Sequence, residues 1–269
     1  MHARTRFAGL IDQLTEGITT LTTSERWQRY LDVQSRFHRY SVNNVLLIGT
    51  QRPDATRVAG FNAWRRLDRV VRKGEKAIWI LAPMVYKSDE SESEERRIVR
   101  GFKFVPVFDI MQTDGPELPS ICRRLDGDDG SEHYDGLVGV AKSIGFTVED
   151  HEFTGSTNGD CSHAERRIRV EPRNAPAQRV KTLAHEIAHS VLHEHFDRRA
   201  VAELEAESTA YVVCRALGID SAGYSFGYVT AWAGGSEEAI TEIRGSCGRI
   251  QKTAATILAA LELPVEQAA

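Results

Sequence analysis

Two histidines four residues apart, with a glutamate beside the first, stand at His185-Glu186-Ile187-Ala188-His189. On a helix, residues four apart share a face, so both imidazoles can be offered to one metal ion. Glu186, next to the first of them, is placed to act as general base toward a water on that ion. Val180, Leu183, Ala184, Ile187, Ala188, Val191 and Leu192 recur at helical spacing. This predicts a helix over 176–194 with one side in a core and the histidine edge facing a cleft.

A hydrolytic zinc site needs three protein ligands and one open position. Two places compete for the third ligand. His195 follows His185 by ten residues, the offset of HExxHxxGxxH peptidases, but Leu192 stands where that pattern needs glycine. Leucine resists the positive φ of such a turn. His193 and His195 are therefore expected to be exposed at the helix end, where a cation suits the dipole. The other place is the run Ala202-Glu203-Leu204-Glu205-Ala206-Glu207-Ser208. Glu203 and Glu207 share a helical face and Glu205 points away. The expectation is Glu203 as ligand, with Glu207 hydrogen-bonded to a ligand histidine from behind. Glu205 and His195 stay open as alternatives. The small residues Ala202, Ala206, Ser208 and Ala210 favour close approach of two helices.

The supporting elements must come from a chain of 269 residues, long enough for one large or two modest cores. No apolar run reaches the roughly 20 residues that span a bilayer, and the polar start does not read as a signal peptide. Cys122, Cys161, Cys214 and Cys247 are scattered, with no close pair, and read as reduced cytoplasmic thiols rather than as a disulfide framework or a cysteine-built zinc site. Charge is split along the chain. Residues 1–80 carry 14 Lys and Arg against 7 Asp and Glu, whereas residues 121–269 carry 15 against 23. A basic first part and an acidic second part predict two jobs, with a polyanion as partner of the first.

Helices are expected at 5–20, 24–38 (capped by Ser24), 42–49 and 61–67, and strands at 77–81 and 100–109. Ser88–Arg97, which lacks large apolar residues, reads as an exposed loop, and Pro116–Ser131 as a linker. Beyond it, helices are expected at 134–144, 200–217 and 236–261, and strands at 146–149 and 167–170. The domains are placed at 1–118 and 134–269, joined by residues 119–133.

The first part has its own candidate chemistry. Between 52 and 76 stand eight Lys and Arg against three acids. Arg39, Arg65, Arg66, Arg69, Arg72, Lys73 and Lys76 could neutralise phosphates. Tyr40, Trp64 and Trp79 could stack on unpaired bases, and Asn43, Asn44 and Gln51 offer paired donors and acceptors. With no helix-turn-helix, zinc finger or basic zipper, the pattern suits single-stranded nucleic acid better than duplex.

Taken together, the motifs resemble a known family. His185-Glu-Ile-Ala-His189 followed by Glu203-x-x-Ala-Glu207 looks like the zincin-like peptidase domain of the ImmA/IrrE and ArdC group. Tyr40-Ser-Val-Asn-Asn-Val-Leu-Leu-Ile, Trp64, Arg72-Lys-Gly-Glu-Lys and Pro106-Val-Phe-Asp-Ile-Met-Gln-Thr look like the N-terminal domain of ArdC-like proteins. Asp68 and Ala77 stand where that family usually has glycine. Asp68 is expected to weaken a phosphate contact.

The resemblance implies an α+β, two-domain protein. An N-terminal domain binding single-stranded DNA would precede a zincin-like metallopeptidase domain holding Zn2+ or Mn2+. It implies an antirestriction or DNA-protection role for a mobile element, with a protein substrate that the sequence does not name and no membrane partner. A repressor-cleaving protease of the ImmA/IrrE type, or a DNA binder with a purely structural metal, are the alternatives.

Overall fold

A computed structural model describes residues 2–87, 97–117, 131–195, 198–219 and 237–261. The fold is α+β and divides into two compact units. Residues 1–17 and 43–119 form the first, and residues 18–42 and 120–269 form the second. The chain thus crosses into the second unit early and returns, so 18–42 pack with the C-terminal part although they lie within the expected 1–118 domain. The expected loop at 88–97 falls, apart from Arg97, outside the described residues. So does most of the expected linker. Among the described residues, no helix is long and apolar enough to cross a membrane.

The first unit contains most of α1 (His2–Thr19), nearly all of α3 (Val42–Gln51), α4 (Phe61–Arg66) and five strands. β3 (Ile78–Lys87) and β4 (Arg97–Asp109) form a long antiparallel pair, and β1 (Val58–Ala59) adds to β4, giving the order β1-β4-β3. β2 (Val70–Val71) and β5 (Thr113–Asp114) make a separate two-stranded ribbon. An edge strand exposes unpaired peptide groups, and α3 deals with those of β3. Asn44 accepts from the Leu81 N–H (2.7 Å) and donates to its carbonyl (2.9 Å). Gln51 does the same at Trp79, at 2.9 Å each. Two amide side chains therefore act as a short strand along that edge.

Asp109 closes the β4 end. Its carboxylate accepts from the N–H groups of Thr56, Arg57 and Met111, and Gln112 accepts from the Asp109 N–H, a reciprocal cap buried in the core. Gln112 also donates to Glu75 and to the Lys76 carbonyl. The Arg72-Lys-Gly-Glu-Lys and Phe-Asp-Ile-Met-Gln segments are thus two halves of one hydrogen-bonded junction. Asp68 has φ of 56°, the left-handed region that glycine occupies freely and aspartate tolerates. Backbone conformation is the physical reason glycine suits this position.

In the second unit, α2 (Ser24–Arg36) is capped by Thr23, one residue before the expected Ser24, through a bond from the Arg26 N–H. β6 (Thr147–Asp150), β7 (Gly159–Ser162) and β8 (Arg167–Val170) form a sheet ordered β6-β8-β7, with β8 parallel to β6 and antiparallel to β7. α5 (Ser131–Ser143) and α6 (Pro176–Leu192) pack together and against this sheet. α7 (Arg199–Ala216) is the central helix, contacted by α2, α6 and α8 (Glu237–Leu261). Its sequence shows little amphipathic stripe because residues on nearly every side are buried, Leu204, Ala206, Ala210, Val212 and Val213 among them. Its buried polar groups are matched. Ser208 accepts from Trp27, and Thr209 bonds the Glu205 carbonyl.

Candidate metal centre

α6 begins with Pro176 at its first turn, where a missing N–H costs nothing. Val180, Leu183, Ala184, Ile187 and Ala188 are buried, while Val191, expected on the same stripe, is half exposed. This arrangement turns His185 and His189 toward α7. Their Nε2 atoms approach to 3.0 Å, and Oε2 of Glu203 lies 3.5 Å from the first and 3.7 Å from the second. Around a tetrahedral ion with bonds of about 2.0–2.1 Å, ligand atoms stand about 3.3 Å apart. The triangle has the size such an ion fills. An approach of 3.0 Å between two ring nitrogens is closed either by a proton or by a cation between them.

The electrostatics agree. Burial alone would lower His185, yet hydrogen bonds to Glu203 and Glu207 outweigh it and raise the ring to about 9. Hydrogen bonds to His185 and His189 hold Glu203 well below the usual carboxylate range. Glu207 is lowered despite burial by His185 and by Lys181, whose ammonium is 2.9 Å away. Glu186 goes the opposite way. Burial, with Asp160 and Glu203 nearby and despite His185, pushes it up to about 7.

These groups line a cleft of about 680 Å³, together with Gly159, Asp160 and Cys161 of β7. A Cβ on Gly159 would lie 2.5 Å from Cγ2 of Thr182, 3.0 Å from the Arg169 carbonyl and 3.1 Å from Oε1 of Glu186. Glycine is what lets β7 pass so close to the carboxylate.

Each outward histidine nitrogen also has a partner. Nδ1 of His185 is 3.2 Å from Glu207, and Nδ1 of His189 is 2.9 Å from Nδ1 of His193. The expectation for His195 holds in that it is exposed. His193 differs, since its side chain is only 5 % exposed and meets Glu205 at 3.3 Å. Glu205 is fully buried and takes bonds from Ser246 and Arg249 of α8, so it faces away from the triad. The repeat of histidine at 185, 189 and 193 was the available signal that His193 continues the same face.

The residues expected to touch nucleic acid fall into two sets. Asn44 and Gln51 are committed to β3. Trp64 is fully buried and donates to the Phe108 carbonyl. Arg69 is buried and bonded to Thr113, Gly115 and Pro116, and Arg72 to Glu75, Asp114 and the Met111 carbonyl. These groups hold the first unit together. Arg65, Arg66, Lys73 and Lys76 are exposed on that unit, and Asn43 is half-buried. Arg39, exposed, and Tyr40, packed edge-on to Phe37, belong to the second unit.

Comparison with known proteins bears on both units. Residues 3–108 match the N-terminal domain of anti-restriction factor ArdC, and residues 142–216 match the IrrE N-terminal-like domain of the Peptidase_M78 type. The chain is ArdC-like. Two crystal structures of the antirestriction ArdC protein from the R388 plasmid, one metal-free and one Mn(II)-bound, share its fold. Their TM-scores are 0.55 and 0.54, with 22% and 20% identity, covering 82% of this ArdC-like chain and 84% of theirs. An uncharacterized protein of Bacillus anthracis is 24% identical over 96% of this chain, which spans 51%, about half, of that relative's length.

Proposed function

We propose that this chain is a DNA-associated, metal-dependent peptidase of antirestriction type. In this reading His185, His189 and Glu203 hold a divalent ion, zinc or manganese, and Glu186 is the general base. The observation that carries it is the triangle of three ligand atoms beside a buried carboxylate in an open cleft. A divalent ion there supplies polarisation of a peptide carbonyl and acidifies a water. Glu186, buried beside the triangle, takes a proton from the attacking water and passes it to the departing amine. Glu207 fixes the imidazole of His185 so that it offers Nε2 inward.

The first unit supplies a hold on single-stranded DNA, using its exposed basic residues such as Arg65, Arg66, Lys73 and Lys76, and concentrates the peptidase near proteins on that strand. The match to the ArdC N-terminal domain supports this part.

The test is protection of incoming unmodified plasmid DNA in a restricting host. The chain should raise the yield of transformants, and Glu186→Gln, with metal still bound, should abolish the gain. Full protection by that variant would instead favour a DNA binder with a structural metal. In parallel, anisotropy of a labelled single-stranded oligonucleotide should show affinity falling with salt. Replacing Arg65 and Arg66 by alanine should flatten the slope by about 0.7 for each phosphate that is no longer neutralised. Absent or salt-independent binding would remove the DNA part.

A further inference from the structure

The two candidate ligand histidines are held from behind in different ways. His185 meets a carboxylate directly, that of Glu207. His189 meets another imidazole. We propose that His193 is a positioning residue for the metal centre, acting through His189 and anchored by Glu205 and Arg249. This rests on the metal-binding part of the proposed function and is independent of peptide cleavage.

The argument is one of proton positions. A neutral imidazole carries one N–H and one lone pair. For Nε2 of His189 to face the ion with its lone pair, Nδ1 must bear the proton. That N–H lies 2.9 Å from Nδ1 of His193, which must therefore accept and so carry its own proton on Nε2. Nε2 of His193 in turn lies 3.3 Å from Oε2 of Glu205, an acceptor.

Glu205 is held in place by the Ser246 hydroxyl (2.6 Å), by Nε of Arg249 (2.9 and 3.1 Å to its two oxygens) and by Nη2 (2.5 Å). Each proton assignment follows from the one before, and the chain ends on a permanent cation. His193 is fixed as well by its own backbone, whose N–H bonds the His189 carbonyl just past the end of α6. Ser246 and Arg249 lie in α8, beyond the matched peptidase-like segment at 142–216. Support for the metal centre thus comes from outside the recognised domain.

The test is a zinc titration of the full chain against a chromogenic chelator, with the absorption spectrum of the cobalt(II)-substituted protein as a geometric readout. His193→Leu should weaken zinc about 10–100-fold and change the cobalt spectrum. His193→Gln can accept through its carbonyl and donate through its amide, and should stay close to the parent. Unchanged affinity and spectrum in His193→Leu, or equal losses in both variants, would overturn the proposal while leaving the metal site standing. A parent that binds neither zinc nor manganese would overturn both.

If His193→Leu does not fold, imidazole nitrogen NMR of the zinc-loaded parent decides. His193 protonated on Nε2 alone supports the relay. A proton on its Nδ1 ends it.

Discussion

Trp27 and Ser208, 181 residues apart in sequence, are joined by a 2.9 Å hydrogen bond from the indole N–H to the hydroxyl, with both side chains fully buried. Tyr211 donates to Asp32 at 2.6 Å in the same interface, and Arg215 lies 3.4 Å from that carboxylate. α2 therefore belongs physically to the peptidase-like unit although it falls inside the segment that matches the ArdC N-terminal domain. Family boundaries and packing boundaries differ here because a sequence model follows chain order and a core does not.

Trp27→Ala should cost about 3–5 kcal/mol in stability, the range for removing a buried large aromatic. A fragment of residues 120–269, lacking α2, should show no cooperative unfolding in urea. A fragment that melts like the parent would contradict this role of α2.

Asn44→Ala and Gln51→Ala should each destabilise the first unit by about 1–3 kcal/mol, because each leaves peptide groups of β3 without partners. Chemical denaturation followed by tryptophan fluorescence measures it. Single-stranded DNA affinity per folded molecule should not change. A drop in affinity at unchanged stability would make these side chains nucleic-acid contacts instead.

Gly159→Ala should leave the second unit folded but strained, by about 1–3 kcal/mol, since the added methyl overlaps Thr182 and crowds Glu186. Hydrolysis or plasmid protection should fall while zinc affinity, set by α6 and α7, changes little. Full activity in this variant would show that Glu186 tolerates displacement.

Glu171 carries the expected acid sensitivity. Bonds from the Arg173 guanidinium, opposed by burial, and from the N–H groups of Phe153 and Arg173 lower it from 4.5 to about 2. The unfolded chain takes up its proton near the ordinary value and the folded chain only near 2. Stability is thus fully present above about 4.5 and is lost as pH falls toward 2. Urea midpoints between pH 6 and 2.5 should drop more steeply for the parent than for Glu171→Gln. Parallel curves would refute the assignment.

Much of the candidate centre was legible in the sequence because α-helical periodicity is local. His185, His189 and the stripe from Val180 to Ala188 follow from a repeat of 3.6 residues, and so does the pairing of Glu203 with Glu207. β7 was not legible. Its four residues, Gly-Asp-Cys-Ser, have no strand propensity to speak of, and they are extended because β8 pairs with them. The amide side chains of Asn44 and Gln51 misled for a related reason. Their hydrogen-bonding capacity is written in the sequence, but whether it is used on a base or on a neighbouring strand depends on what the fold brings alongside.

The sequence by itself determined the kind of chemistry available, through residue types at fixed short spacings, and the two-part division of charge and of family resemblance. Only the tertiary structure decided which acid completes the triangle's geometry, since Glu203 and Glu205 differ by two residues and point to opposite sides of α7. It also decided that His193 is buried behind His189 rather than exposed, and that α2 packs with the C-terminal half. All three depend on contacts between elements far apart in the chain. Such contacts are set by how several hydrophobic faces close together, which no local repeat specifies.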